Sequence, residues 1–290
     1  MPVKTLDPIL EKVATAMTLR WAHVSRDLVY INVSDSYCSW INVNPDEANG
    51  QDVKSIIGEA AVRKLTPYWN KVLSGEQVTF NDFIEFSNGQ GTSYVRATYI
   101  PILEDQVVES FYVFFQDLTE ENTTISTLRK LHDITSDGFV NAHEKIQRIL
   151  QLGSEVFSLP LALISHIFDD KYVVKYALSP DGSVSPGDEF ELGITYCSHT
   201  LKANGPTAFD HAGESVIQNH PCYETFGLES YIGTPLIVDG LRFGTLNFSG
   251  PEVHDQRFNK NDFELIRLFS QWIGNELTQL NVKKDFARNQ

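Results

Sequence analysis

The chain has 290 residues, 42% of them hydrophobic and 21% charged, which is enough apolar material for two packed cores and rules against a mainly disordered chain. Its net charge of −15 is spread over both halves and would repel phosphate backbones and anionic lipid surfaces, so neither nucleic acid nor a membrane is an expected partner. No run approaches the roughly 18 uninterrupted apolar residues of a membrane span, no leader pattern opens the chain, and three cysteines are too few for a disulfide framework; a reducing, cytoplasmic location is expected.

Asp7 at an N-cap, Pro8 at the first helical position and Ile9, Leu10, Val13 and Met17 at helical spacing predict an opening helix. Residues 21–33 turn strand-like, a mixed helical stretch reaches Leu73, and Ser74-Gly75-Glu76 marks the return to strands. Three aromatic-rich strands are predicted over 78–86, 92–100 and 107–115. The short breaks at Asn88-Gly89 and Glu104-Asp105 make them an antiparallel sheet.

Residues 118–135 hold no Gly or Pro and carry Leu118, Ile125, Leu128 and Leu131, which predicts a connecting helix rather than a flexible tether. A second cycle follows: a helix with Ile146, Ile149, Leu150, Val156 and Phe157, strands over 161–168 and 171–178, a polar loop over 179–188, and a short helix over 195–203. The segment 230–249 reads as a hairpin turned at Asp239-Gly240. In a closing helix over 261–280, Phe263, Ile266, Phe269, Ile273, Leu277 and Leu280 form one stripe. Leu265, Leu268 and Trp272 lie beside it, and this wide apolar face is expected to meet a second copy of the chain.

Between Val29 and Val53, Asn32, Tyr37, Trp40, Pro45, Glu47 and Gly50 recur in the order of a PAS domain. The resemblance continues through Leu73-Ser74-Gly75-Glu76 and Pro101 into Asp117-Leu118-Thr119-Glu120. The run 231–250 resembles a GAF domain on Gly233, Pro235, Leu236, Gly240, Gly244, Thr245 and Leu246, with Phe258 and Asp262 leading into the closing helix. The fold class expected is α+β: two domains, each an antiparallel sheet flanked by helices, with a PAS-like domain over 1–120, a helical linker over 121–140 and a GAF-like domain over 141–285.

Both resemblances imply sensory and dimerisation modules. In the PAS-like domain Trp40, Phe83, Tyr94, Arg96 and Tyr99 are candidates to line a pocket, with Arg96 clamping a carboxylate; the alternative is an aromatic core and a solvated arginine. In the GAF-like domain Tyr196, Cys197, His199, Asp210, Cys222, Tyr231 and Asn247 are the ligand-binding candidates. Their spacing, and that of His220, announces no metal site. His23 is the only histidine before residue 132, which gives haem little support, and no flavin-adduct or matched bilin segment is found; no cofactor is named.

Gly-x-Ser-x-Gly, a Lys-Ser/Thr phosphate loop and His-Glu-x-x-His are all missing, so no enzyme activity is expected. The leading expectation is a sensor that binds a small molecule and relays a helix rearrangement to a partner, such as a histidine kinase or cyclase output, or to an output domain in a longer chain. One alternative is a constitutive dimerisation or interaction scaffold. Another is a cysteine oxidoreductase resembling the free methionine sulfoxide reductases. Those enzymes need acids on the strand that here reads Thr245-Leu246-Asn247-Phe248-Ser249, where no carboxylate stands.

Overall fold

A computed structural model describes residues 12–14, 16, 17, 19–86 and 91–288; most of the expected opening helix and the Asn88-Gly89 turn lie outside the described residues. The chain divides into two units, Met1–Thr123 and Thr124–Gln290.

In the first unit, strands β1 (Arg20–Ser25), β2 (Tyr30–Val33), β3 (Val78–Phe86), β4 (Gly91–Glu104) and β5 (Val107–Asp117) form one antiparallel sheet in the order β2-β1-β5-β4-β3. Side chains alternate across a strand. On β4, Val95, Ala97 and Tyr99 enter the core, whereas Tyr94, Arg96 and Thr98 take the opposite face. Helices α1 (Asp35–Trp40), α2 (Pro45–Ala48), α3 (Val53–Ile57) and α4 (Glu59–Leu73) cover the core face. The first three start at side-chain caps: Ser34, Asn44 and Asp52 accept from the backbone N–H groups of Tyr37, Asp46 and Lys54.

The strand expected over 92–100 runs on through Pro101 to Glu104. Its β3 partner reaches only Tyr99, so beyond that point β4 is an edge on that side and the missing proline N–H leaves no ladder bond unmade. The tight turn falls one residue later than expected, at Asp105 and Gln106, both at positive φ.

Helix α5 (Thr119–Ser136) follows, and the second unit continues with α6 (Ala142–Phe157), β6 (Leu161–Phe168) and β7 (Lys171–Leu178). The short β8 (Glu189–Glu191), α7 (Cys197–Ala203), β9 (Thr207–Phe209) and α8 (Pro221–Phe226) precede the hairpin β10 (Ser230–Val238) and β11 (Leu241–Gly250), and α9 (Lys260–Arg288) closes the chain. The six strands run in the order β8-β7-β6-β11-β10-β9, each pair antiparallel. Asp239 and Gly240, both at positive φ, make the hairpin turn.

This sheet separates two apolar clusters. On one face Ile146, Ile149, Leu150 and Phe157 of α6 pack with Leu265, Ile266, Phe269 and Ile273 of α9 against Leu246 and Phe248 of β11. Leu265, expected on the flank, belongs to this core; Leu268 is partly buried against it and Trp272 is 37% exposed. The other face carries Leu163, Tyr172, Val174, Tyr196, Cys197, Cys222 and Tyr231. Strand β11 serves both, with Leu246 and Phe248 toward the helices and Asn247 and Ser249 toward the second cluster.

Candidate functional site

The second cluster does not close on itself. It surrounds a cavity of about 550 Å³, inside the range of small-molecule sites. Its buried wall comes from Leu163 on β6, Tyr172 on β7, Tyr231 on β10, and Asn247 and Ser249 on β11, roofed by Tyr196, Cys197 and Cys222. Pro180, Asp181, Ser183, Thr225 and Phe226 form an exposed rim. The polar loop 179–188 thus supplies one side of the mouth, shaped by Asp181, whose carboxylate accepts from the Ser179 and Ser183 hydroxyls and the Ser183 N–H. Those bonds hold the Asp181 carboxyl below its ordinary range.

A chain of hydrogen bonds runs along the wall. Tyr231 Oη lies 2.7 Å from Thr200 Oγ1 and donates to Cys197 Sγ at 3.4 Å; the thiol donates to Asn247 Oδ1 at 3.5 Å, and Tyr172 Oη donates to the same oxygen at 3.2 Å. Burial pushes the Tyr172 and Tyr231 hydroxyls well above the ordinary phenol value and pushes the Cys197 and Cys222 thiols upward too, Cys222 to about 12. All four are therefore neutral at physiological pH. One wall group stands outside the chain: Ser249 is 1% exposed and its hydroxyl has no hydrogen-bond partner. An unpaired buried hydroxyl costs free energy that a ligand's polar atom would recover.

Of the residues singled out in the sequence, Tyr196, Cys197, Cys222, Tyr231 and Asn247 line this cavity and His199 and Asp210 do not. The His199 ring lies beside His220 at 4.9 Å and Phe209 at 5.9 Å, and Asp210 pairs with Arg257 at 3.9 Å. Among the described residues no three His, Cys, Asp or Glu side chains cluster closely enough to share a metal ion. Sequence reasoning missed Tyr172, Phe190, Phe226 and Ser249. The available signal for Ser249 was alternation: it stands two residues from Asn247 on one strand and so shares its face.

In the first unit the five candidates do not converge. Tyr99 borders a void of about 20 Å³, room for a single water at most, left between Tyr30, Tyr37, Trp69, Phe111 and Phe115. Trp40 is packed against Phe86 and Phe115, its indole N–H donating to Asp117. Phe83, 47% exposed, meets Tyr94 across the strands on the outer face, where Arg96 donates to Asn81. The carboxylate clamp expected of Arg96 is thus on the wrong side of the sheet from Tyr99, because residues 94 and 96 and residue 99 have opposite parity on one strand.

Residues 16–123 match the PAS fold family and residues 141–277 match the GAF domain family. No curated protein matches the chain. Among solved structures, the chromophore-binding domain of the unusual bacteriophytochrome RpBphP3 from R. palustris is 11% identical over 92% of this chain and 94% of that one, with a TM-score of 0.47. The longer bacteriophytochrome RpBphP3 from R. palustris is 12% identical over 92% of this chain and 58% of its own, with a TM-score of 0.46. The GAF domain of an Acinetobacter phosphoenolpyruvate-protein phosphotransferase is 11% identical over 57% of this chain and 98% of its own, also at 0.46. With two antiparallel sheets in the order the family matches require, the chain belongs to the proteins that carry a PAS domain followed by a GAF domain.

Proposed function

We propose that the protein is a signal-input module in which the GAF domain holds a small molecule and the PAS domain serves as a packed interaction module. The observation that carries this is the contrast between the two interiors: about 550 Å³ with an unpartnered Ser249 hydroxyl in one, about 20 Å³ in the other. Occupancy is passed on through β11, whose cavity-facing Asn247 and Ser249 alternate with Leu246 and Phe248 in the core shared with α6 and α9. A ligand shifts that arrangement only by the difference in its affinity for two states.

The receiver is a helix-bearing partner, a second copy of the chain or an output such as a histidine kinase or cyclase. The module works without catalysis of its own. The neutral, buried Cys197 and Cys222 speak against the oxidoreductase alternative, since the thiolate is the reactive form.

Leu163→Trp, which fills the cavity from β6, provides the test. Native mass spectrometry and a thermal-shift panel on the full chain should show a retained or stabilising small molecule in the wild type and none in the variant, with the circular dichroism of the two alike. A wild-type chain that retains nothing and responds to nothing would leave the constitutive scaffold as the reading.

A further inference from the structure

The walls of the GAF cavity also carry a charge pattern. Among the described residues that line it there is no Lys, Arg or His, and the single carboxylate, Asp181, sits on the exposed rim with Ser179 and Ser183 bonded to it. The interior offers only neutral groups: phenols, thiols, the Asn247 amide and the Thr195 and Ser249 hydroxyls. A carboxylate or phosphate entering this space would shed its water shell with no cation to receive it, which is costly, and the overall charge of −15 repels it at longer range. A cation would meet aromatic faces but no ionised acid inside, since Asp181 stays on the exposed rim, so its desolvation is repaid only in part.

The remaining surfaces favour flat rings. Tyr172 and Phe190 meet at 60°, Phe190 and Phe226 at 90°, and Tyr196 and Tyr231 at 71°, so an enclosed ring can find both faces and edges. A cavity of about 150 Å³ accepts one benzene, so this one has room for roughly three fused rings. We infer that the cavity selects an uncharged, flat aromatic molecule with at least one hydrogen-bonding group for Ser249, and excludes anions and cations of the same shape. This rests on the reading of the cavity as a ligand site and goes beyond it by naming the class of ligand.

Indole, indole-3-acetate and tryptamine are matched in ring and differ in charge. Titrated calorimetrically into the full chain at pH 7, indole should bind at least about tenfold more tightly than either charged probe. Ser249→Ala should weaken indole by a few-fold to about tenfold and leave naphthalene, which has nothing to bond, unchanged. The fold should survive this substitution because the hydroxyl has no internal partner.

Equal or tighter binding of indole-3-acetate or tryptamine overturns the inference and leaves the ligand site standing, as does indole binding unaffected by Ser249→Ala. If none of the three binds, the molecule retained in native mass spectrometry decides: an uncharged aromatic supports the inference, and a charged or non-aromatic molecule overturns it alone. No binding and no retained molecule overturns the ligand site and the inference together.

Discussion

Burial holds each of the three cysteines as a neutral thiol: Cys38 is pushed up from 9.0 to about 11, Cys222 to about 12, and Cys197 upward as well. Iodoacetamide at pH 8 should therefore leave the native chain unlabelled and modify all three residues after unfolding in urea; rapid labelling of Cys197 or Cys222 in the folded protein would restore the redox alternative. The same shifts set an alkaline limit on stability. Below about pH 9 the thiols are protonated in both folded and unfolded chains and contribute no pH dependence. Between about pH 9 and 12 the unfolded chain has released protons that the folded chain still binds at Cys222, so stability falls as pH rises. Urea midpoints measured from pH 7 to 10 should be flat and then decline. Parity governs the other residue-scale finding: Tyr94, Arg96 and Tyr99 share a chemistry that suits one pocket, but Tyr99 lies an odd number of residues from the other two along a stretch of β4 without a register shift, which sends it to the opposite face.

At the scale of elements, the close approach of α6 to β11 depends on Gly153, where an added Cβ would collide with the Phe248 ring at the centre of the core. In an exposed helix Gly→Ala is stabilising; here the sign reverses, and Gly153→Ala should cost about 1–3 kcal/mol in urea unfolding through overpacking. A second fastening joins three helices. Lys145 Nζ of α6 donates to the Thr135 carbonyl at the end of α5 at 2.8 Å and lies 3.7 Å from Glu276 Oε1 of α9, and both side chains are largely buried. Lys145→Met strands the Glu276 carboxylate and should cost about 3–5 kcal/mol, whereas adding Glu276→Leu should recover most of the loss, because two apolar groups replace the pair without leaving a charge behind. A single variant as stable as wild type in urea would show that water reaches the carboxylate freely. None of this was legible beforehand: periodicity placed α6 and α9 with their apolar faces, but long-range partners such as Lys145 and Glu276 depend on how helices cross, which spacing along the chain does not encode.

For the whole molecule, the order of strands and helices was readable because alternation, turn residues and caps are local signals; the strands over 78–86, 161–168 and 171–178 have the bounds expected. The three-residue β8 and β9 were missed since so few residues show no period, and with β8 went Phe190 of the aromatic lining. The self-association expected from the closing helix takes a different form once the core is known. Leu265 and Leu268 pack inward, so charges there would unfold the domain rather than report on an interface. What stays outside is Trp272, 37% exposed, on α9, and Ile125 and Leu128, 49% and 40% exposed, on α5. Apolar groups repeated on two helices are better accounted for by burial against a second copy than by water, and their replacement by Glu would desolvate a charge only in the assembled state. Sedimentation of the wild type should therefore show a homodimer, and Leu128→Glu with Trp272→Glu should give a monomer with unchanged circular dichroism and an unchanged small-molecule response. A wild type that stays monomeric at high concentration sinks the proposal, and a double variant that remains dimeric moves the interface off these two helices.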